Sequence, residues 1–206
     1  MKSTWTNFGA VCGVIVFGLS GAQAVPLVPA SSIVLPSEAE PVGASLVTSS
    51  VLNFSSFTFS GTLTSKVWSG DTSNPFGGLT FTYQISNNAV STDPIDRLTL
   101  SSYAGFLTDA SYFGAGIVPT SAVRNPAGNQ VTFDFAGQFQ GTLVAGSTSP
   151  LLILQTDSAN FQVSNAAVIN SSSVNVATFA PLAVPEPTAA VILVAGAIIF
   201  GLRRKS

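Results

Sequence analysis

The chain of 206 residues contains no histidine, one cysteine (Cys12) and only 8% charged residues. Without histidine, the usual zinc sites and a Ser-His-Asp triad cannot be assembled. Cys12 lies in an apolar stretch near the N-terminus, and a chain that loses this stretch on export has no thiol left for a nucleophile or a disulfide. Its fold is then held by burial and hydrogen bonding alone. Positive charge is scarcer still. From Val25 to Ala183 the basic residues are Lys66, Arg97 and Arg124, against Glu38, Glu40, Asp71, Asp93, Asp96, Asp109, Asp134 and Asp157, a net of −5. No basic stripe exists to displace counterions, which excludes nucleic acid as a partner. No stretch between Val25 and Ala183 carries the 3.6-residue period of an amphipathic helix of normal length.

The chemistry left over is narrow. Lys66 is the one candidate for a Ser-Lys dyad, and its place beside Val67-Trp68 in a strand pattern reads as a solvated face residue. A glycosidase needs two carboxylates at a defined separation. The candidates Asp71, Asp93, Asp96, Asp109, Asp134 and Asp157 lie in or near turns or on polar strand faces, where aspartate ordinarily bonds the backbone. Asp71 with Asn74, or Asp93 with Asp96, offers hard oxygen ligands for calcium, without the spacing of an EF-hand. The expectation is therefore a protein that is not an enzyme and has no cofactor and no metal site. Trp68, Tyr103 and Tyr112 are read first as filling the edges of the fold, with Tyr83 in the core. The alternative is that these aromatics stack on a sugar beside a surface rich in serine, threonine, asparagine and glutamine. Asn53-Phe54-Ser55 and Asn170-Ser171-Ser172 fit the glycosylation sequon by chance.

What the chain does have, from Leu46 onward, is a period of two. Leu79 to Ser86 alternates apolar and polar without an error, which places Leu79, Phe81, Tyr83 and Ile85 on one face of a half-buried strand. Similar patterns recur over Asn53 to Ser60, Gly61 to Trp68, Arg97 to Ser101, Gln130 to Phe135, Gln138 to Val144, Leu151 to Gln155, Asn160 to Ser164 and Ser173 to Phe179. Between them lie turn sequences rich in Gly, Asn, Asp, Ser and Pro, such as Ser69 to Gly78, Asn87-Asn88, Asn125 to Asn129 and Gly146 to Pro150. Eight or nine short strands joined this way predict an all-β domain, an antiparallel β-sandwich of Greek-key or jelly-roll type, with a closed barrel as the alternative. The domain is expected over residues 46–183. Residues 25–45, with Pro26, Pro29, Pro36 and Pro41, read as an extended leader that adds at most an edge strand.

The two ends carry a different message. Lys2 precedes an apolar stretch from Phe8 to Leu19, and Ala22-x-Ala24 follows it, the pattern that signal peptidase accepts. Residues 1–24 are thus a predicted signal helix, and Val25 the first residue of the mature chain. At the other end stand Val184-Pro185-Glu186-Pro187, an apolar run from Thr188 to Leu202, and Arg203-Arg204-Lys205. Pro187 suits a helix's first turn. A helix over residues 188–202 spans roughly 22 Å, short of a ~30 Å hydrocarbon core. Bilayer thinning and snorkelling of the basic end close the gap, giving a marginal single membrane helix with its basic stop in the cytoplasm.

In this order, the signal peptide, the Val-Pro-Glu-Pro motif, the apolar helix and the basic end resemble a PEP-CTERM sorting signal, the bacterial class read by an exosortase. The likeness covers about the last 23 residues. It implies passage through the inner membrane, cleavage around Pro185-Glu186-Pro187 by an exosortase-type processing enzyme, and delivery to the envelope or exopolymer. It implies nothing about the activity of the cargo. The central segment, through Gly61 to Asp71, Asn74 to Gln84 and Ala177 to Pro181, is similar to the globular part of many proteins with this signal. The reading is an exported structural or interaction protein of the cell surface or exopolysaccharide matrix. Its first rival is a carbohydrate-binding module that retains extracellular polysaccharide, and its second a secreted hydrolase using aspartates.

Overall fold

The computed structural model describes residues 26–136 and 142–183. These residues form eleven strands and no helix. β1 (Ser32–Ile33), β2 (Ser45–Ser55), β3 (Ser60–Ser69), β4 (Thr80–Asn87), β5 (Arg97–Ser101) and β6 (Thr108–Phe113) are followed by β7 (Ser121–Arg124), β8 (Gln130–Asp134), β9 (Leu151–Thr156), β10 (Phe161–Ile169) and β11 (Ser173–Pro181). They build two antiparallel sheets, one in the order β2-β3-β4-β9-β6 and the other in the order β1-β7-β8-β5-β10-β11. The all-β class and its antiparallel pairing are as the period of two requires. The signal helix, the Ala22-x-Ala24 site, the motif Val184 to Pro187, the membrane helix and the basic stop all lie outside the described residues.

One core joins the sheets. β3 is the plainest case, because Gly61, Leu63, Ser65 and Val67 are buried while each residue between them is partly exposed. Leu63, Phe81, Tyr83, Ile85, Leu152 and Leu154 from one sheet meet Leu98, Leu100, Val131, Phe133, Ala166 and Val168 from the other in a single buried cluster, giving a sandwich-like arrangement. Tyr83 lies in this core as expected, and its hydroxyl bridges the layers, 2.7 Å from the Tyr103 hydroxyl and donating to the Phe179 carbonyl at 2.7 Å. Gly61 sits opposite Phe54 of β2. A Cβ there would lie 1.9 Å from the Ser86 carbonyl oxygen and 2.6 Å from the Phe54 ring, so only glycine lets β4 and the ring close in together.

Several boundaries differ from the sequence reading. The pattern over Asn53 to Ser60 is cut by a turn in which the Ser56 amide donates to the Phe59 carbonyl at 2.8 Å, so β2 runs back to Ser45 and Ser60 opens β3. Of Gln138 to Val144, residues 137–141 lie outside the described ones. Residues 142–144 form no strand, and Leu143 makes an isolated bridge to Ile95. β6 and β7 are strands that the alternation did not mark. β4 is buried on both faces at its start, since Thr80 and Thr82 are as inaccessible as Phe81 and Tyr83.

Asp71 and Trp68 cover these two threonines, bonding the Thr80 and Thr82 hydroxyls, while the leader closes one side of both sheets. β1 pairs with the β7 edge. Pro26 bridges Asp109 and Ser37 bridges Tyr112 along the β6 edge, with the Leu27 amide donating to the Thr108 carbonyl (2.8 Å) and the Glu38 amide to the Tyr112 carbonyl (2.8 Å). Leu27 and Leu35 join the core. An edge covered this way is no longer a template for foreign strands.

Candidate functional site

The densest polar constellation grows from the outer face of the five-stranded sheet. Register places Trp68, Thr80, Gln155 and Asp109 in one row across β3, β4, β9 and β6, and Lys66, Thr82, Ile153 and Ser111 in the next. The segment Gly70 to Leu79 folds over this face, because the Asp71 carboxylate gathers donors from four directions. Oδ1 accepts from the Val42 amide (3.1 Å), the Ser73 amide (3.0 Å) and the Ser73 hydroxyl (2.6 Å). Oδ2 accepts from the Thr80 hydroxyl (2.7 Å) and Gln155 Nε2 (3.1 Å). Asn74 continues the knot, its Nδ2 donating to the Gly78 and Thr156 carbonyls at 3.0 Å each and its Oδ1 accepting from the Phe76 amide. At Gly78 a Cβ would stand 2.5 Å from the Thr156 carbonyl oxygen, so the segment lies tight against β9.

Electrostatics follow from these contacts. Burial alone would raise the Asp71 carboxyl, but the hydroxyls of Ser73 and Thr80, the Ser73 amide and Gln155 overcome it and hold the pKa below the usual aspartate value. Glu38 runs the other way. Burial raises it, the nearby Ser111 hydroxyl opposes the rise, and the Asp71 charge adds to it. Asp71 and Asn74 were the sequence's first calcium candidates, and here their oxygens are occupied by the protein's own donors. Of the second pair, Asp96 feels the charges of Arg97, Asp134 and Asp93, and Arg97 Nε lies 3.5 Å from Asp134 Oδ2. Asp157 accepts from the Leu107 amide at 3.0 Å. Among the described residues no group of three or more acidic, histidine or cysteine side chains is arranged to hold a metal.

The aromatic candidates do not converge. Trp68 is half-buried on the outer face, its Nε1 donating to the Thr82 hydroxyl at 2.9 Å and its ring 5.6 Å below the Lys66 ammonium. Tyr112 is in register with Leu152 on the opposite, inner face and packs against the core. Tyr103 is wholly buried, edge-on to Phe81 at 6.4 Å, so it is a core residue and not a glycan contact. Three aromatics on two faces and in the interior make no common platform.

Two features escaped the sequence reading. Arg124, counted there only as one of three positive charges, is 3% exposed, and its guanidinium donates to the Leu27 (3.0 Å), Gly128 (3.0 Å), Tyr103 (2.6 Å) and Phe106 (2.9 Å) carbonyls. Burial lowers its pKa, with Tyr103 and Asp157 opposing. The second is the tip of the β2–β3 hairpin, where Phe57 is fully exposed, together with the neighbouring β4–β5 loop, where Val90 is nearly so. Between them lies a groove of about 140 Å³ lined with Ser55, Ser56, Thr58, Ser91 and Thr92. Phe57 and Phe59 alternate with Thr58 and Ser60 as strand residues do, and only the paired Ser55-Ser56 before them breaks the phase.

Comparison with protein-family models, with curated proteins and with solved structures gives no match. The class reached is therefore that of the fold itself, an all-β protein of two antiparallel sheets.

Proposed function

We propose that the chain is an exported, non-enzymatic structural or interaction protein of the cell surface or exopolysaccharide matrix, sorted by its C-terminal signal. The observation that carries this reading is the order of elements in the sequence: a signal-peptide pattern ending at Ala22-x-Ala24, one β domain, Val184-Pro185-Glu186-Pro187, an apolar run and Arg203-Arg204-Lys205. The body fits such a destination, since residues 25–183 contain no cysteine whose redox state could alter the fold. The repeated crossings between the sheets after β4, at β4–β5, β5–β6, β6–β7, β8–β9 and β9–β10, support a jelly-roll-like sandwich. The partners this reading requires are signal peptidase, an exosortase-type processing enzyme and, before processing, the inner membrane.

Replacing Pro185, Glu186 and Pro187 with alanine should leave the apolar helix able to insert while removing the recognition element, so an unprocessed, membrane-bound precursor accumulates. Replacing Arg203, Arg204 and Lys205 with serine should weaken the stop and release mislocalised protein. Fractionation with intact-mass measurement separates the two. Secreted wild-type protein is expected to begin at Val25 and to lack Arg203 to Lys205. Wild-type processing of both variants would reduce the tail to an ordinary anchor and overturn the reading.

A carbohydrate-binding role is the second reading, favoured by the exposed Phe57 beside a hydroxyl-lined groove. On that reading, retention of extracellular polysaccharide falls at least roughly tenfold in Phe57→Ala, through loss of a stacking ring, and stays unchanged in Trp68→Ala. Equal retention by wild type and Phe57→Ala in a polysaccharide pull-down removes it.

A further inference from the structure

The leader seals β6 and β7, but at the opposite side of the molecule β2 and β11 end their sheets with no strand beside them among the described residues. β2 is the unusual one. Its eleven residues, Ser45 to Ser55, hold no charge and no proline, and Val51 is 65% exposed. Natural edges are usually blunted by lysine, proline or a bulge. β2 has a bulge between Leu46 and Thr48, leaving Thr48 to Ser55 in regular register with β3.

The direction of its free hydrogen-bonding groups can be read from the hairpin. Ser60 uses its amide and carbonyl away from β2, donating to the Ser91 hydroxyl (3.0 Å) and accepting from the Asn88 amide (2.9 Å). Ser55 and Ser60 are therefore a non-hydrogen-bonded pair, and by alternation the amides of Asn53, Val51 and Ser49 point outward. The regular segment from Thr48 to Phe54 is centred on Val51.

We propose that β2 is the interface for a second copy of this chain, paired antiparallel with itself about a two-fold axis at Val51. This register sets Val51 against Val51, Ser49 against Asn53 and Ser50 against Leu52, all outward amides finding carbonyls in about six hydrogen bonds. Because the pairing preserves parity, both copies keep their core-facing residues on one side of a continuous sheet. A groove of about 180 Å³, lined by Ser50, Leu52, Val163, Ala177, Thr178 and Phe179, opens beside β2. The second copy's Leu52, opposite Ser50, comes to its mouth. No like charges meet across the axis, despite the acidic balance of the domain. Strand pairs with strand from Val47 to Ser55, about 31 Å, and a side wall roughly 15 Å wide gives about 900 Å² over both copies, the size of a weak, reversible contact. The contact is isologous and closes on itself, so it gives dimers and not fibres.

Sedimentation equilibrium of the full chain in mild detergent tests this, independently of sorting. Wild type and Val51→Thr should be dimeric. Val51→Lys, which sets two ammonium groups face to face, should weaken the dimer at least about tenfold. Val51→Pro removes only an outward amide and should give a folded monomer with unchanged circular dichroism. In a Cys12→Ser background, Val51→Cys should cross-link on mild oxidation, since paired Cα atoms ~5.5 Å apart suit a disulfide. A monomeric wild type at about 100 μM, a dimer indifferent to lysine at 51, or failure of Val51→Cys to cross-link overturns the proposal.

Discussion

Arg124→Met is expected to be the most damaging single substitution in the described part of the chain. Methionine fills much of the same space, but the carbonyls of Leu27, Gly128, Tyr103 and Phe106 then lose a charged donor inside the protein. Breaking a buried charged network of this kind costs about 3–5 kcal/mol, which for a domain of this size lowers Tm by roughly 6–20 °C. The damage should also be local. Arg124 ties Leu27 of the leader to the loop after β5 and to the β7–β8 turn, so the variant's residues 26–38 should be cut early in limited proteolysis. Arg124→Lys, with one compact ammonium in place of a fork, reaches fewer carbonyls and should fall between. A Tm within 2 °C of wild type in the methionine variant would show that the carbonyls find other partners.

Arg124 also marks what a sequence does and does not disclose about this fold. β3, β5 and β8 were legible because inward residues, mostly apolar, alternate with polar ones that face outward, the signal that period-two reading detects, and β9 was legible as a short apolar run after turn residues. β6 was not, since its polar residues Asp109 and Ser111 lie beneath the leader and are as buried as Ala110 between them. A polar residue whose burial is decided by a segment seventy residues away leaves no local trace. The turn at Ser56-Phe57-Thr58-Phe59 was hidden for another reason: it has no Gly, Pro, Asn or Asp, and its one trace is the change of phase at Ser55-Ser56, after which Phe57 and Phe59 resume the alternation. At the polar cluster, Asp71 and Asn74 were singled out as turn residues that bond the backbone, and they do so. Gln155 and Thr80, which complete the cluster from neighbouring strands, were indistinguishable from any solvated strand face.

Asp71→Asn should destabilise the protein by about 2–3 kcal/mol at neutral pH, the second large effect. The side chain is nearly unchanged in shape, but an amide NH₂ must now face donors wherever it points. Toward Thr80 and Gln155 it meets a hydroxyl and an NH₂; toward Val42 and Ser73 it meets two amides and a hydroxyl. The pH dependence distinguishes this from simple loss of packing. The folded-state pKa of Asp71 lies below its unfolded value of about 3.9. Its contribution is therefore fully present above that value and is lost as pH falls through the folded pKa. The stability gap between wild type and Asp71→Asn should accordingly be constant from neutral pH down to about 5 and narrow below about 4. Glu38 provides the internal contrast. Its pKa is raised by burial, so its protonation favours the folded state as pH falls, and Glu38→Gln should stabilise slightly at pH 7 while leaving the acid limb of Asp71 in place. Chemical denaturation of wild type and both variants at a series of pH values reads all three curves. A gap for Asp71→Asn that stays constant to pH 3 would mean that the negative charge of Asp71 adds nothing, and that Ser73, Thr80 and Gln155 hold the Gly70 to Leu79 segment on the sheet without it.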